Sequence, residues 1–235
     1  MRQKVQIVLF LGMAVAAIRL AWILYERHQD SVQTTKQQSA PLNPDYYVVP
    51  KKLYPYDLKS AKQLTQQPVW VKVGYAYPYF PYDAATRQAD LNHEAGRLLP
   101  LQRLDIKDVV LASAPDAKGK KRVLATFQLD GRSYASPIGS EQGGDYKFFS
   151  DEMLFIQDPH ELYKHWPADI WQEIEQHKVE QGMSELQTDF ALGIGLLQPG
   201  SDDIDRTLDY PNGGNPLKVS FHHDKAIQIG PGSKE

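Results

Sequence analysis

The feature that most restricts this chain is a change of hydrophobic period. Between Val69 and Ile156, apolar residues recur at every second position in short runs; after Pro159 they recur at helical spacing. A period of two commits one face of a strand to a core, and a period near 3.6 commits one stripe of a helix, so the two halves must be built differently. In the first half Val69, Val71, Val73, Tyr75, Tyr77 and Tyr79 alternate with Trp70, Lys72, Gly74, Ala76, Pro78 and Phe80. That alternation predicts one strand with an inward row of valines and tyrosines. Further strands are expected at Leu98 to Leu101, Leu104 to Ala112, Arg122 to Leu129, Ser133 to Ile138 and Tyr146 to Ile156. The turn signals between them are "DAKGKK", Asp130-Gly131 and Gly143-Gly144-Asp145. Asp130-Gly131 is the strongest, because both central residues of a type I′ turn need positive φ. Short strands at such spacing predict a small antiparallel barrel or sandwich.

In the second half, "HWPADIWQEIEQHKVEQGM" places Pro167 for a first helical turn and Asp169, Glu173 and Glu175 early, with Ile170, Trp171 and Ile174 on one face. His177 and Lys178 suit its C-terminal end, and Gly182 is expected to stop it. Ser184-x-x-Gln187 reads as a capping box for a second short helix, "ELQTDFALG", ended by Gly193. Three strands follow, "IDRTLDYP", "NPLKVSFHHD" and "KAIQIG". Leu208, Tyr210, Leu217, Val219, Phe221, Ile227 and Ile229 are expected to face inward. The predicted topology is ααβββ.

"IEQHKVEQGMSELQTDFALGIG" followed by "RTLDYPNGGNPLKVSFHHDKAIQI" resembles the SmpA/OmlA (BamE-like) family. The likeness rests on Gly182-Met183-Ser184 at the inter-helix turn, Leu186 and Phe190 on the second helix, Gly193 at its cap, and Leu217 to Ile229 in the meander. It covers roughly residues 165 to 230 and implies a fold and a bacterial envelope setting; it transfers no functional residue. "GRLLPLQRLDIKDVVL" with "ATFQLDGRSYASPIG" is similar, through strand lengths and spacing, to a bacterial SH3-like small β-barrel.

At the N-terminus Val5 to Tyr25 form an apolar run interrupted by Gln6 and Arg19, about the 20 residues a helix needs to cross a bilayer. Arg19 lies about 9 Å along such a helix from Tyr25, near enough to the end to snorkel. Arg2 and Lys4 on the short flank orient the N-terminus to the cytoplasm and the C-terminal bulk to the periplasm. The alternative is secretion after signal-peptide cleavage, with Ala14-Val15-Ala16 as the small-residue site. From His28 to Gln67 the chain is rich in Gln, Ser, Thr, Lys and Pro and reads as a flexible tether, with "YYVVPKKLYPY" apolar enough to dock on the next domain. The expected organisation is therefore 1–27 transmembrane signal-anchor, 28–67 tether, 68–158 SH3-like β domain and 159–235 BamE-like ααβββ domain: an α+β chain.

The chain has no cysteine, which removes lipid attachment, disulfides and thiolate metal sites. A net charge of −3 with scattered lysines and arginines argues against nucleic acid. His222-His223-Asp224 sits at a strand end where neighbouring side chains point to opposite faces, and Asp202, Asp203 and Asp205 lack the arrangement of a calcium loop. Gly193-x-Gly195 reads as a helix cap, not a dinucleotide fingerprint. No catalytic motif, metal site or cofactor is assigned. The expected function is that of a non-catalytic, membrane-anchored envelope protein acting through protein contacts, in envelope assembly or maintenance. Its expected partners are the bilayer, through Val5 to Tyr25, and other envelope proteins. The alternatives are a cell-wall peptide or glycan binding module and an unrecognised hydrolase. "YAYPYFPYD" supplies the candidate interaction surface, Tyr79, Phe80 and Tyr82, beside Pro78 and Pro81, which confine this stretch to a sheet edge.

Overall fold

The computed structural model describes residues 18–25, 43–74, 77–113 and 119–232. Most of the expected span, most of the tether's first half, Tyr75 and half of "DAKGKK" lie outside the described residues. Residues 18–25 are helical, and no helix among the described residues is long and apolar enough to cross a membrane. Contacts divide the chain into two units, Met1–Tyr47 and Val48–Glu235. In the first, Pro44–Tyr47 form a 3-10 turn.

The second unit mixes helix and sheet, with one nearly closed, barrel-like sheet. Its strands are β1 (Val69–Val71), β2 (Tyr77–Asp83), β3 (Gln88–Ala89), β4 (Gly96–Leu98), β5 (Arg103–Leu104), β6 (Asp108–Ser113), β7 (Lys120–Leu129), β8 (Arg132–Gln142), β9 (Asp145–Phe148), β10 (Leu154–Phe155), β11 (Leu196–Leu197), β12 (Asp205–Tyr210), β13 (Leu217–His222) and β14 (Lys225–Pro231). Its helices are α1 (Leu58–Ala61), α2 (Ser150–Met153), α3 (Pro159–Leu162), α4 (Ala168–Glu175) and α5 (Glu185–Leu192).

The barrel-like sheet runs β3-β2-β8-β7-β6, with β4 on β2 and β9 on β8. The β7–β8 hairpin turns at Asp130-Gly131, with φ of 49° and 75°, as the sequence requires. Gly143-Gly144 closes β8 on β9 in the same manner, with Gln142 opposite Asp145. Val109, Val123, Ala125, Phe127 and Ile138 fill its core. Ala61 and Leu64 join them, so residues 58–66, expected as tether, are helical and packed. Asp57 starts that helix by accepting from Ser60 N at 2.6 Å in a capping box.

The expected continuous strand from Val69 to Tyr79 is broken. β1 ends at Val71 and belongs to a separate three-stranded sheet, β10-β1-β5, while β2 enters the barrel-like sheet. Val69 and Val71 face the first core; Trp70 faces a second core with Phe155, opposite it on β10. Leu154, one residue before Phe155, faces the first core again. Alternation therefore holds over Val69 to Val71, with both faces committed, each to a different core, while Val73, expected on the valine face, packs with Trp70 against the second core.

The second core is built by α4, α5 and the four-stranded sheet β11-β12-β13-β14. The capping box forms as expected, Gln187 N donating to Ser184 Oγ at 3.2 Å and Ser184 N to Gln187 Oε1 at 2.8 Å. Gly193 follows α5 with φ of 91°. The first helix is shorter than expected: it ends at Glu175, Pro167 precedes it as N-cap, and His177 turns the chain at φ 54°. Leu208, Tyr210, Val219 and Phe221 are buried as expected, but Ile227 is exposed. The β13–β14 register shifts between Ser220 and Phe221, so Ala226 takes the inward place opposite Phe221 and Ile227 becomes the extra residue of a bulge.

Candidate functional site

The three aromatics expected to share one surface are divided by the pleat of β2. Tyr79 lies on the inner side, edge-on to Phe127 and Tyr134 with centroids 6.1 and 4.9 Å apart. It also covers Gly96 across the β2–β4 pair; a Cβ there would sit 2.8 Å from Tyr79 Cζ. Phe80 points the other way, opposite Ala135 on β8, and at 7% exposure has no face left for a ligand. Tyr82, on the same side as Phe80, is half-buried against a small cluster of Val110, Leu124 and Ala135. The three side chains therefore do not share one face: Phe80 is buried, and Tyr79 and Tyr82, both partly exposed, lie on opposite sides of the sheet.

Tyr82 stands between two depressions. The first, about 950 Å³ and broadly open, is lined by Tyr82, Asp83, Asp90, Arg132 and Tyr134 among others. The second, about 220 Å³, is lined by Tyr82, Arg87, Asp108, Thr126 and Ser133 among others. Sequence reasoning missed Arg132 and Tyr134, which the β2–β8 pairing brings to the rim of the first depression; Tyr134 lies directly opposite Pro81, on the Tyr79 side of the pleat. Asp108 accepts from Lys62 and Arg87, each at 2.9 Å, and from Val109 N at 2.8 Å. Burial pushes its carboxyl up, but these partners outweigh it and hold it below the usual carboxylate range. It is thus an ionised, fully engaged structural anion. The groove offers an aromatic face, a guanidinium and carboxylates, a set suited to holding a polar ligand.

Family models, curated proteins and solved structures yield no match to this chain. Its chemistry therefore rests on its own residues.

The second polar constellation joins α5 to β12. Tyr210 Oη donates to Asp189 Oδ1 at 3.0 Å, and Arg206 pairs with Glu185 one turn earlier through contacts of 2.8 and 3.1 Å. Gly195 packs so closely that a Cβ would lie 2.7 Å from Tyr210 Cζ, and its backbone amide also bonds to Asp189. Burial, with the neighbouring Glu185 charge, pushes the Asp189 carboxyl up to about 7 despite those hydrogen bonds. The Tyr210 hydroxyl is pushed above its ordinary range by burial and by Asp189. The pair fastens the helix to the sheet.

Several histidines are held by contacts within the fold. His160 bridges Asp158 and Glu175 at 3.0 Å each and stacks on Trp171 at 4.1 Å, while His177 Nδ1 lies 2.9 Å from the Ala191 carbonyl. His222 pairs with Asp205 at 2.6 Å, and His223 and Asp224 make the tight turn with φ of 48° and 61°. Among the described residues no group of three His, Asp or Glu converges as a metal site.

A further feature is an open edge. β11 lies at the end of the four-stranded sheet, paired on one side only among the described residues, and both its side chains, Leu196 and Leu197, are more than half exposed at 56% and 52%. Ile194, just before it, is exposed as well. A two-residue strand is too short for a periodicity argument, so sequence reading missed it.

Proposed function

We propose that this chain is a non-catalytic, membrane-anchored protein of the bacterial envelope that works through protein contacts. The N-terminal apolar run anchors it in the inner membrane, and the periplasmic bulk combines an SH3-like β region with a BamE-like ααβββ region. A bent antiparallel sheet with tight hairpins supports the first likeness. A pair of short helices joined at Gly182-Met183-Ser184 and followed by a meander supports the second.

The observation that carries the reading is the β11 edge. Unpaired edges are normally blunted by charge, proline or cover, yet this one presents consecutive exposed leucines. Such an edge accepts an extended partner strand, main-chain bonds giving affinity and the leucines giving grip. Photocrosslinking from position 197 in intact cells should yield adducts with envelope proteins, and Leu196→Asp should lower their yield by about tenfold or more. Adduct yields that Leu196→Asp leaves unchanged would remove β11 as the contact.

A second reading is favoured by the Tyr82 groove. Tyr82 and Tyr134 beside Arg132 and the carboxylates of Asp83 and Asp90 match the mixed apolar and charged surface of cell-wall peptide or glycan. The protein should then be retained on purified sacculi, with Tyr82→Ser together with Arg132→Ala reducing retention by about fivefold or more. Equal retention of wild type and variant would dismiss the groove.

A further inference from the structure

We infer that residues 48–59 form a membrane-surface contact that lays the folded unit against anionic phospholipid headgroups. The inference rests on the anchored reading above. This stretch is a strap pinned at several points: Val48 packs on the second core, Leu53 and Leu58 on the first, and Lys51 N donates to Gln157 Oε1 at 2.8 Å. With those side chains turned inward, Val49, Tyr54 and Tyr56 are left 83%, 68% and 78% exposed. Lys51, Lys52 and Lys59 are exposed beside them, and none has an ion-pair partner among the described residues. Their charge acts locally: burial first, and then Lys52, push the Lys72 ammonium below its ordinary range.

The composition selects the occupant. Three lysines face one aspartate, Asp57, in a chain whose overall charge is negative, so the strap complements an anionic surface. Protein interface cores are depleted in lysine and favour arginine, whereas tyrosine rings with lysines are the side chains that settle at the headgroup level of a bilayer. Chain length agrees. Residues 26–47 separate the end of the apolar run from the strap, so Val48 stays within about 80 Å of the membrane even at full extension. At such effective concentration, weak attraction suffices. Each lysine near an anionic surface contributes about a fivefold gain.

Because the chain lacks cysteine, Val49→Cys and Tyr56→Cys each give a unique site for a spin label. Full-length labelled protein is reconstituted into vesicles of phosphatidylcholine alone and of phosphatidylcholine with about one third phosphatidylglycerol. Accessibility to lipid-soluble oxygen and to an aqueous nickel complex is then read by power saturation, with Gln228→Cys as control. The expected result is a shift toward oxygen accessibility at positions 49 and 56, absent at 228, present only with phosphatidylglycerol. It should be abolished by about 1 M salt and by Lys51→Gln with Lys52→Gln and Lys59→Gln. Labels that stay aqueous in both vesicle types, in protein that floats with the vesicles after a carbonate wash, overturn the lipid contact and leave the anchor standing. Labels shielded in native membrane vesicles but aqueous in both lipid mixtures overturn it in favour of a protein partner. Protein that washes off overturns the anchor and the contact together.

Discussion

Asn in place of Asp189 should raise folding stability by on the order of 2 to 4 kcal/mol at about pH 8 and hardly change it at about pH 4. The carboxyl titrates near 3.8 when unfolded and is held up to about 7 in the fold, chiefly by burial. The folded state therefore binds more protons than the unfolded one between those values. Stability from this group is fully present below the lower value and is lost as pH rises towards the upper one. The lower end of the range allows for the carboxyl's partial exposure. Asn keeps an oxygen to accept from Tyr210 Oη and never ionises, so the variant should lose this part of the pH dependence. The Arg206–Glu185 pair, already closed on itself, does not neutralise Asp189. Urea denaturation followed by tryptophan fluorescence across that pH window measures the effect. A variant with the wild-type pH slope would refute the assignment.

Ala in place of Phe190 should cost about 3 to 5 kcal/mol. The ring is 2% exposed and touches four aromatics: Phe155, Tyr163, Trp166 and Trp171, with centroids 6.2, 5.0, 5.1 and 6.5 Å away. Three of these contacts are edge-on, so truncation removes geometry-dependent attraction as well as buried area and leaves a cavity that rigid rings cannot fill. Thermal unfolding followed by near-ultraviolet circular dichroism should show a lower midpoint and a weakened tryptophan signal. Phe190→Leu, which keeps most of the volume, should lose less. A loss below about 1 kcal/mol for the alanine variant would mean that the cluster repacks freely.

Much of the local structure was legible because local chemistry dictates it. Asp130-Gly131, the Ser184–Gln187 box and the Gly193 cap are each set by φ or by unpaired amides within four residues. What failed depended on distant residues. Alternation at Val69 to Tyr79 is blind to which core each face meets, so it could not reveal that Trp70 turns to Phe155 while Val69 and Val71 turn to the barrel-like sheet. The same pleat separates Tyr79 from Phe80, a point available from sequence once β2 is accepted as a strand. Ile227 left the core because of a bulge that only pairing with β13 reveals. The Tyr82 groove needed β8 to bring Tyr134 and Arg132 alongside, and nothing near Asp189 in sequence marks it as buried, since Tyr210 reaches it from β12.

The small sheet of β1 and β10 ties the two cores together. Val69, Val71 and Leu154 belong to one core and Trp70 and Phe155 to the other, so these strands have no spare face. Recombination that exchanged or deleted either half at residue 158 would strip apolar side chains of their cover and expose them to water. The two halves, however separate their architectures, depend on each other for cover at these strands.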